Sequence, residues 1–114
     1  MATIAYLRVS TSKQDVDRQE VQLRQYAEKQ GFSVDEWVRV TASTRKSTAD
    51  RGLDALLDQL QAGDRLLVAE LSRLGRSLSQ VVRIVEELIS RGVGLHSLKE
   101  GMRLNGEMDM TAKV

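Results

Sequence analysis

Ala5-Tyr6-Leu7-Arg8-Val9-Ser10-Thr11-Ser12-Lys13-Gln14 joins two kinds of pattern. The run from Ile4 to Val9 is nearly continuous in apolar residues, as in a strand covered on both faces of a parallel sheet. A short polar turn follows, and a helical pattern begins within a few residues. The stretch is a strand entering a βα turn. In open α/β sheets ligands bind beyond the carboxyl ends of strands, which is where Arg8 and Ser10 fall. Taken alone, Ser10 reads as a helix-capping or turn residue, a place serine favours. A second stretch shifts that reading: Glu70-Leu71-Ser72-Arg73-Leu74-Gly75-Arg76, at the end of another apolar strand.

Outward from these junctions, strands and helices alternate. Thr3 to Val9 is the first strand, and Ser12 to about Gln30 is a helix. Ser12 and Asp15 open it in a capping-box arrangement, with aspartate in the glutamate place, and Gly31 stops it. Its buried stripe is Val16, Leu23, Tyr26 and Ala27. Phe32 to about Val40 is a second strand, with Trp37 as a packing residue. Thr41 to Ala49 is polar and aperiodic, a loop beside a strand end, and such loops often carry function. Asp50 to Ala62 is an amphipathic helix marked by Leu53, Leu56, Leu57 and Leu60, with Gly63 beyond it. Arg65 to Glu70 is the third strand. Ser77 to about Ser90 is a helix with Leu78, Val81, Val82, Val85, Leu88 and Ile89 on one face and Gly92 as its stop. Val93 to Leu98 is the fourth strand, with His96 expected to be partly exposed.

This alternation gives the α/β class: a mostly parallel, four- to five-stranded sheet with helices on both faces and right-handed crossovers. Residues 1–100 form the expected domain. From Glu100 to Val114 come turn signals (Gly101, Asn105-Gly106), then Met108, Met110, Ala112 and Val114. Residues 101–114 are expected to open a connecting helix that is cut short at residue 114.

With 114 residues the chain suits one domain with a real core. Its 41% hydrophobic and 29% charged residues place it among folded rather than disordered chains. The absence of cysteine excludes disulfides, thiolate nucleophiles and zinc-finger spacing, and a single histidine excludes a multi-histidine metal site. No metal or cofactor is expected. No apolar stretch is long enough to span a bilayer and no signal-peptide pattern opens the chain, so no membrane partner and a cytoplasmic address are expected. A net charge of +1 argues against a self-sufficient DNA-binding module. Its distribution says more. Arg73 and Arg76, with Arg83 beyond them, form one basic group, and Arg45, Lys46 and Arg51 another.

Residues two apart on an extended strand share a face, so Arg8 and Ser10 are expected to point the same way, as are Glu70 and Ser72. Arg73 and Arg76, three apart at the start of a helix, lie on one side of it. If the first and third strands are neighbours, three guanidinium groups converge on one hydroxyl. Arginine forks match phosphate oxygens bidentately and keep their charge. Positive charge also favours a serine alkoxide and stabilises the added charge of five-coordinate phosphorus.

Tyr6-Leu7-Arg8-Val9-Ser10-Thr11, Gln14 and Ser72-Arg73-Leu74-Gly75-Arg76 together resemble the catalytic domain of the serine recombinases, the resolvase and invertase family. The resemblance covers essentially the whole chain in element order and spacing. It implies that Ser10 attacks a DNA phosphodiester to form a 5′-phosphoserine link, with a free 3′-hydroxyl and neither ATP nor metal. It makes Arg8, Arg73 and Arg76 the holders of the scissile phosphate and Gln14 a support from the first helix. It also implies DNA contacts from Arg45 and Lys46, and a homodimer that assembles to a tetramer on DNA in the nucleoid. A separate DNA-binding part is expected after a long dimerisation helix.

Two departures from that family stand out. Ser72 occupies the place where the family has an aspartate, a candidate for proton transfer. Glu70 either substitutes for it or simply neutralises the arginines. The family also places an active-site arginine just before the second long helix; Arg51 fits best, with Arg45 as its rival. A different class, a non-catalytic α/β module binding a phosphate or nucleotide, uses the same arginines without a nucleophile. Neither Gly-x-x-x-x-Gly-Lys-Ser/Thr nor Gly-x-Gly-x-x-Gly is present to support it.

Overall fold

A five-stranded sheet in the order β2-β1-β3-β4-β5 carries the chain. The computed structural model describes residues 2–9, 13–41, 46–75 and 77–104. Its elements are β1 (Thr3–Val9), α1 (Lys13–Gln30), β2 (Glu36–Thr41), α2 (Lys46–Gln59), β3 (Arg65–Val68), a 3₁₀ turn (Leu71–Leu74), α3 (Leu78–Ser90), β4 (Gly94–Ser97) and β5 (Met102–Leu104). The first four strands are parallel, and β5 runs antiparallel to β4. The first and third strands are indeed neighbours.

Alternation along β1 divides the core into two layers. Ala5 and Leu7, with Leu67 of β3, pack on Leu23 and Ala27 of α1. Ile4 and Tyr6 face the other way, joining Leu66, Val68 and Leu95 under α2 (Leu53, Leu56, Leu57) and α3 (Ile84, Leu88). Each leucine fully removed from water here contributes roughly 2 kcal/mol. This two-sided burial explains why β1 reads as a continuous apolar run. Among the described residues, no helix is long and apolar enough to cross a membrane.

Several boundaries differ from the sequence reading, each for a physical reason. The second strand begins at Glu36, not Phe32. Phe32 and Val34 pack against the α1 layer without joining the ladder, and Asp35 clasps β1 by accepting from Thr3 N at 2.8 Å and donating its own N–H to Thr3 O. The third strand stops at Val68 instead of reaching Glu70, and a 3₁₀ turn follows. Ser72 therefore lies on that turn and not on an extended strand. Helix α2 begins at Lys46, inside the segment expected to be a loop. Residues 46–49, Lys-Ser-Thr-Ala, hold no apolar stripe, so periodicity could not reveal that the helix already includes them. The position of the short β5 also escaped the sequence reading: Met102–Leu104 are a strand inside the range 101–114 expected to open a helix, and the rest of that range, 105–114, lies outside the described residues. On α3, Leu78 and Val82 stand exposed, because the side of the helix packed on the sheet is the one that carries Ile84, Val85 and Leu88.

His96 is buried, not partly exposed: 6% of its surface remains accessible. Its Nδ1 lies 2.7 Å from the Tyr26 hydroxyl, and the Phe32 ring stands edge-on at 5.3 Å. Burial first, then the positive charges of Arg103 and Arg65, lower its pKa from 6.5 to about 4. The unfolded chain takes up this proton below its ordinary pKa of 6.5, whereas the folded chain resists until about 4. The stability conferred by the neutral ring is complete above 6.5 and lost as pH falls toward 4. Urea unfolding should therefore show a lower midpoint at about pH 5 than at about pH 7.5, with a smaller difference in His96→Phe. An equal difference in the two proteins would rule out His96 as its source.

Candidate active site

The register places the site. Tyr6 of β1 is paired with Val68, the last residue of β3, while β1 runs on to Val9 beside β2 alone. The flank of β1 that β3 vacates is occupied by the 3₁₀ turn. Two reciprocal hydrogen bonds join these segments. Arg8 Nη1 donates to Gly75 O at 3.1 Å, and Arg73 Nη1 donates to Arg8 O at 3.1 Å. Residues 65 positions apart are thus held side by side at the carboxyl end of the sheet.

Arg73 has acidic neighbours on two sides. Its Nε lies 3.6 Å from Glu70 Oε1 and its Nη2 lies 3.9 Å from Asp15 Oδ1. That Nε is buried and has no hydrogen-bond partner among the described residues. Glu70 also accepts from the Ser72 hydroxyl at 2.7 Å and pairs with Lys99 at 3.5 Å. The Ser72 hydrogen bond holds the Glu70 carboxyl below its usual range; partial burial opposes this, and the charges of Lys99 and Arg73 reinforce it. A carboxylate held in its ionised form is a poor proton acceptor at neutral pH and a good partner for a cation. Of the two roles open to Glu70, this geometry favours neutralising the arginine. An open groove of about 600 Å³ beside α1 is lined by Asp15, Gln19, Glu70, Arg73 and Lys99 among others.

Gln14 is exposed on the first turn of α1. The buried glutamine is Gln19, only 3% exposed, which the sequence reading missed. Its amide donates to Asp15 Oδ2 at 3.2 Å and reaches Arg8 O at 3.5 Å, so the Arg8 carbonyl meets both Gln19 and Arg73. One polar residue in a helix rich in Gln, Glu and Arg leaves no periodic signal. Only its lone inward place marks it.

Because α2 starts at Lys46, Arg51 lies within that helix rather than just before it, and residue 45 is the arginine immediately ahead. The capping residue of α3 is Ser77, whose hydroxyl accepts from Gln80 N at 3.2 Å. Arg73 therefore precedes α3, on the 3₁₀ turn, instead of standing at the start of that helix as expected. Ser10, Arg45 and Arg76 lie outside the described residues, as do the side chains of Lys46 and Arg51.

The family model for the Resolvase, N terminal domain, matches residues 3–113. The transposon Tn552 DNA-invertase BinR of Staphylococcus aureus is 36% identical over 90% of this chain and 50% of its own length. The chain thus spans about half the length of the curated relatives it matches. Among solved structures, the C-terminal catalytic domain of ISC1926 TnpA, an IS607-like serine recombinase, aligns with a TM-score of 0.65 at 25% identity, over 86% of this chain and 67% of that one. The N-terminal catalytic domain of TP901-1 integrase shares the fold with a TM-score of 0.68 at 24% identity, over 90% of this chain and 81% of that one.

Gln19→Ala removes the amide that ties α1 to the end of β1. It should lower unfolding free energy by about 1–3 kcal/mol in chemical denaturation, the usual result of unpairing buried polar groups and opening a void. A loss below about 0.5 kcal/mol would show that this bridge does not hold the junction.

Proposed function

As the chain belongs to the Resolvase N-terminal domain family, we propose that it is the catalytic domain of a serine-type site-specific DNA recombinase with Ser10 as its nucleophile. The Ser10 oxygen attacks phosphorus and gives up its proton. The 3′ oxygen leaves, taking up a proton, and the 5′ phosphate stays esterified to the serine. Attack by the 3′-hydroxyl of another strand reverses these steps and releases Ser10. One ester replaces another at each stage, so no nucleotide hydrolysis is needed to reseal DNA, and arginine charge takes the place of a metal ion.

One observation carries this reading: Arg8 and Arg73, far apart in sequence, are tied together where β1 ends, two residues before Ser10. Their guanidinium groups, with that of Arg76, bind the scissile phosphate and stabilise the charge of five-coordinate phosphorus. Gln14 supports the phosphate from the first turn of α1, as the resemblance implies. Glu70 holds Arg73, and Ser72 holds Glu70. Proton transfer then falls to another group or to water. Helix α2 starting at Lys46 supports Arg45, ahead of Arg51, as the further phosphate contact, with Lys46 beside it. DNA is the substrate, and the working form is a homodimer that pairs into a tetramer on DNA in the nucleoid. Residues 101–114 open the connecting, dimerisation helix, its start falling after β5 (Met102–Leu104).

The test uses the full-length protein and its recombination site. Wild type should link covalently to a DNA 5′ end, and Ser10→Ala should abolish the link. Arg8→Ala, Arg73→Ala and Arg76→Ala should each slow cleavage by about a hundredfold or more, the scale of losing one preorganised charge donor. Wild-type rates in all three would overturn the phosphate clamp. Phosphate binding that survives Ser10→Ala, with no covalent product from wild type, would establish a non-catalytic binding module instead. On its own this chain should bind DNA weakly, with affinity falling steeply as salt rises.

A further inference from the structure

The 3₁₀ turn that carries Arg73 begins on a residue that does not cap it. Glu70 stands at the capping position with extended backbone (φ −158°, ψ 155°), and its side chain makes no capping hydrogen bond. Its carboxylate is committed to Ser72, Arg73 and Lys99 instead. The N–H at the head of the turn goes to a carboxylate 29 residues away: Leu71 N donates to Glu100, 3.2 Å from Oε1 and 3.4 Å from Oε2. The Ser97 hydroxyl donates to the same carboxylate. The backbone beside it is zipped along the same path, with Leu98 N donating to Val68 O at 3.1 Å and Lys99 N to Ala69 O at 2.9 Å.

We propose that Glu100 is a positioning residue for Arg73, capping the 3₁₀ turn from outside so that Glu70 can hold the guanidinium. This deepens, and rests on, the phosphate-clamp reading above. The first N–H groups of any helical turn need an acceptor. Without Glu100 the turn's own capping residue, Glu70, is the carboxylate positioned to take over, and turning it to Leu71 N takes it from Arg73. The guanidinium then loses the nearer of its two carboxylate neighbours and keeps only the Arg8 carbonyl at Nη1 and Asp15, 3.9 Å from Nη2. A displacement of about 1 Å at a group that must meet a transition state costs on the order of a hundredfold in rate. Ser97, at the end of β4, steadies Glu100 by its hydroxyl, so the brace runs from the sheet through two side chains to the turn.

The experiment compares wild type, Glu100→Ala, Glu100→Gln, Ser97→Ala and Ser10→Ala in the full-length protein on its recombination site. Glu100→Ala should slow cleavage by about tenfold to a hundredfold while site affinity stays within about twofold. Glu100→Gln keeps an acceptor oxygen and should recover most of the rate; Ser97→Ala should fall between. Amide exchange at Leu71 should accelerate in Glu100→Ala while that of the β1 core does not. A wild-type rate in Glu100→Ala, no recovery by Gln, or unchanged protection at Leu71 would each overturn the proposal. If Glu100→Ala fails to fold, Ser97→Ala decides: unaltered cleavage and unaltered Leu71 exchange would sink it. A wild type that never links to DNA would count against the recombinase reading, and Leu71 exchange would still decide the brace.

Discussion

The architecture depends on the parallel pairing of β1 with β3 and on the tie that continues it past the end of β3. Four residue pairs hold the strands in register, from Thr3 with Arg65 to Tyr6 with Val68. Beyond them the ladder is replaced by arginines: one guanidinium from β1 to the Gly75 carbonyl, another from the 3₁₀ turn to the Arg8 carbonyl. Charged donors make stronger hydrogen bonds than neutral ones, and here they also fix two cations near each other. Placing cations together is costly unless anions lie close. Asp15 and Glu70 supply them in the protein, and a phosphate would supply more.

The surroundings of these arginines are therefore as informative as the arginines themselves. Glu70 stays ionised under the combined hold of Ser72, Lys99 and Arg73. Asp15 and Gln19 reach the same place from α1, and Glu100 reaches it from the turn after β4. Elements from both ends of the chain thus converge on one short 3₁₀ turn. The turn is also anchored by its own apolar residues: Leu74 is buried in the core layer under α2 and α3, and Leu71 packs against that layer.

The strands and helices of the core were legible because burial writes a period into the sequence. β1 shows a two-sided apolar run, and α3 repeats its apolar residues every three to four positions. Short or polar elements leave no such trace. The 3₁₀ turn spans four residues, β5 spans three, and the first turns of α2 are polar, so each was missed or misplaced. His96 was misread because the residues that bury it, Tyr26 and Phe32, come from distant elements. The meeting of the Arg8 and Arg73 segments was foreseen from their places at two βα junctions on neighbouring strands. The supporting contacts of Gln19, Asp15 and Glu100 were not, since each depends on a hydrogen bond across the fold rather than on spacing.

The central claim is that the hydroxyl of residue 10 becomes esterified to DNA beside these arginines, and the most direct test is to identify the attached residue. Full-length protein trapped on its recombination site, then digested with protease and nuclease, yields a nucleotide-bearing peptide for tandem mass spectrometry. The account predicts a 5′-phosphate ester on Ser10. An ester on Thr11 or Ser12, or no covalent peptide from DNA that has been cleaved, would contradict it.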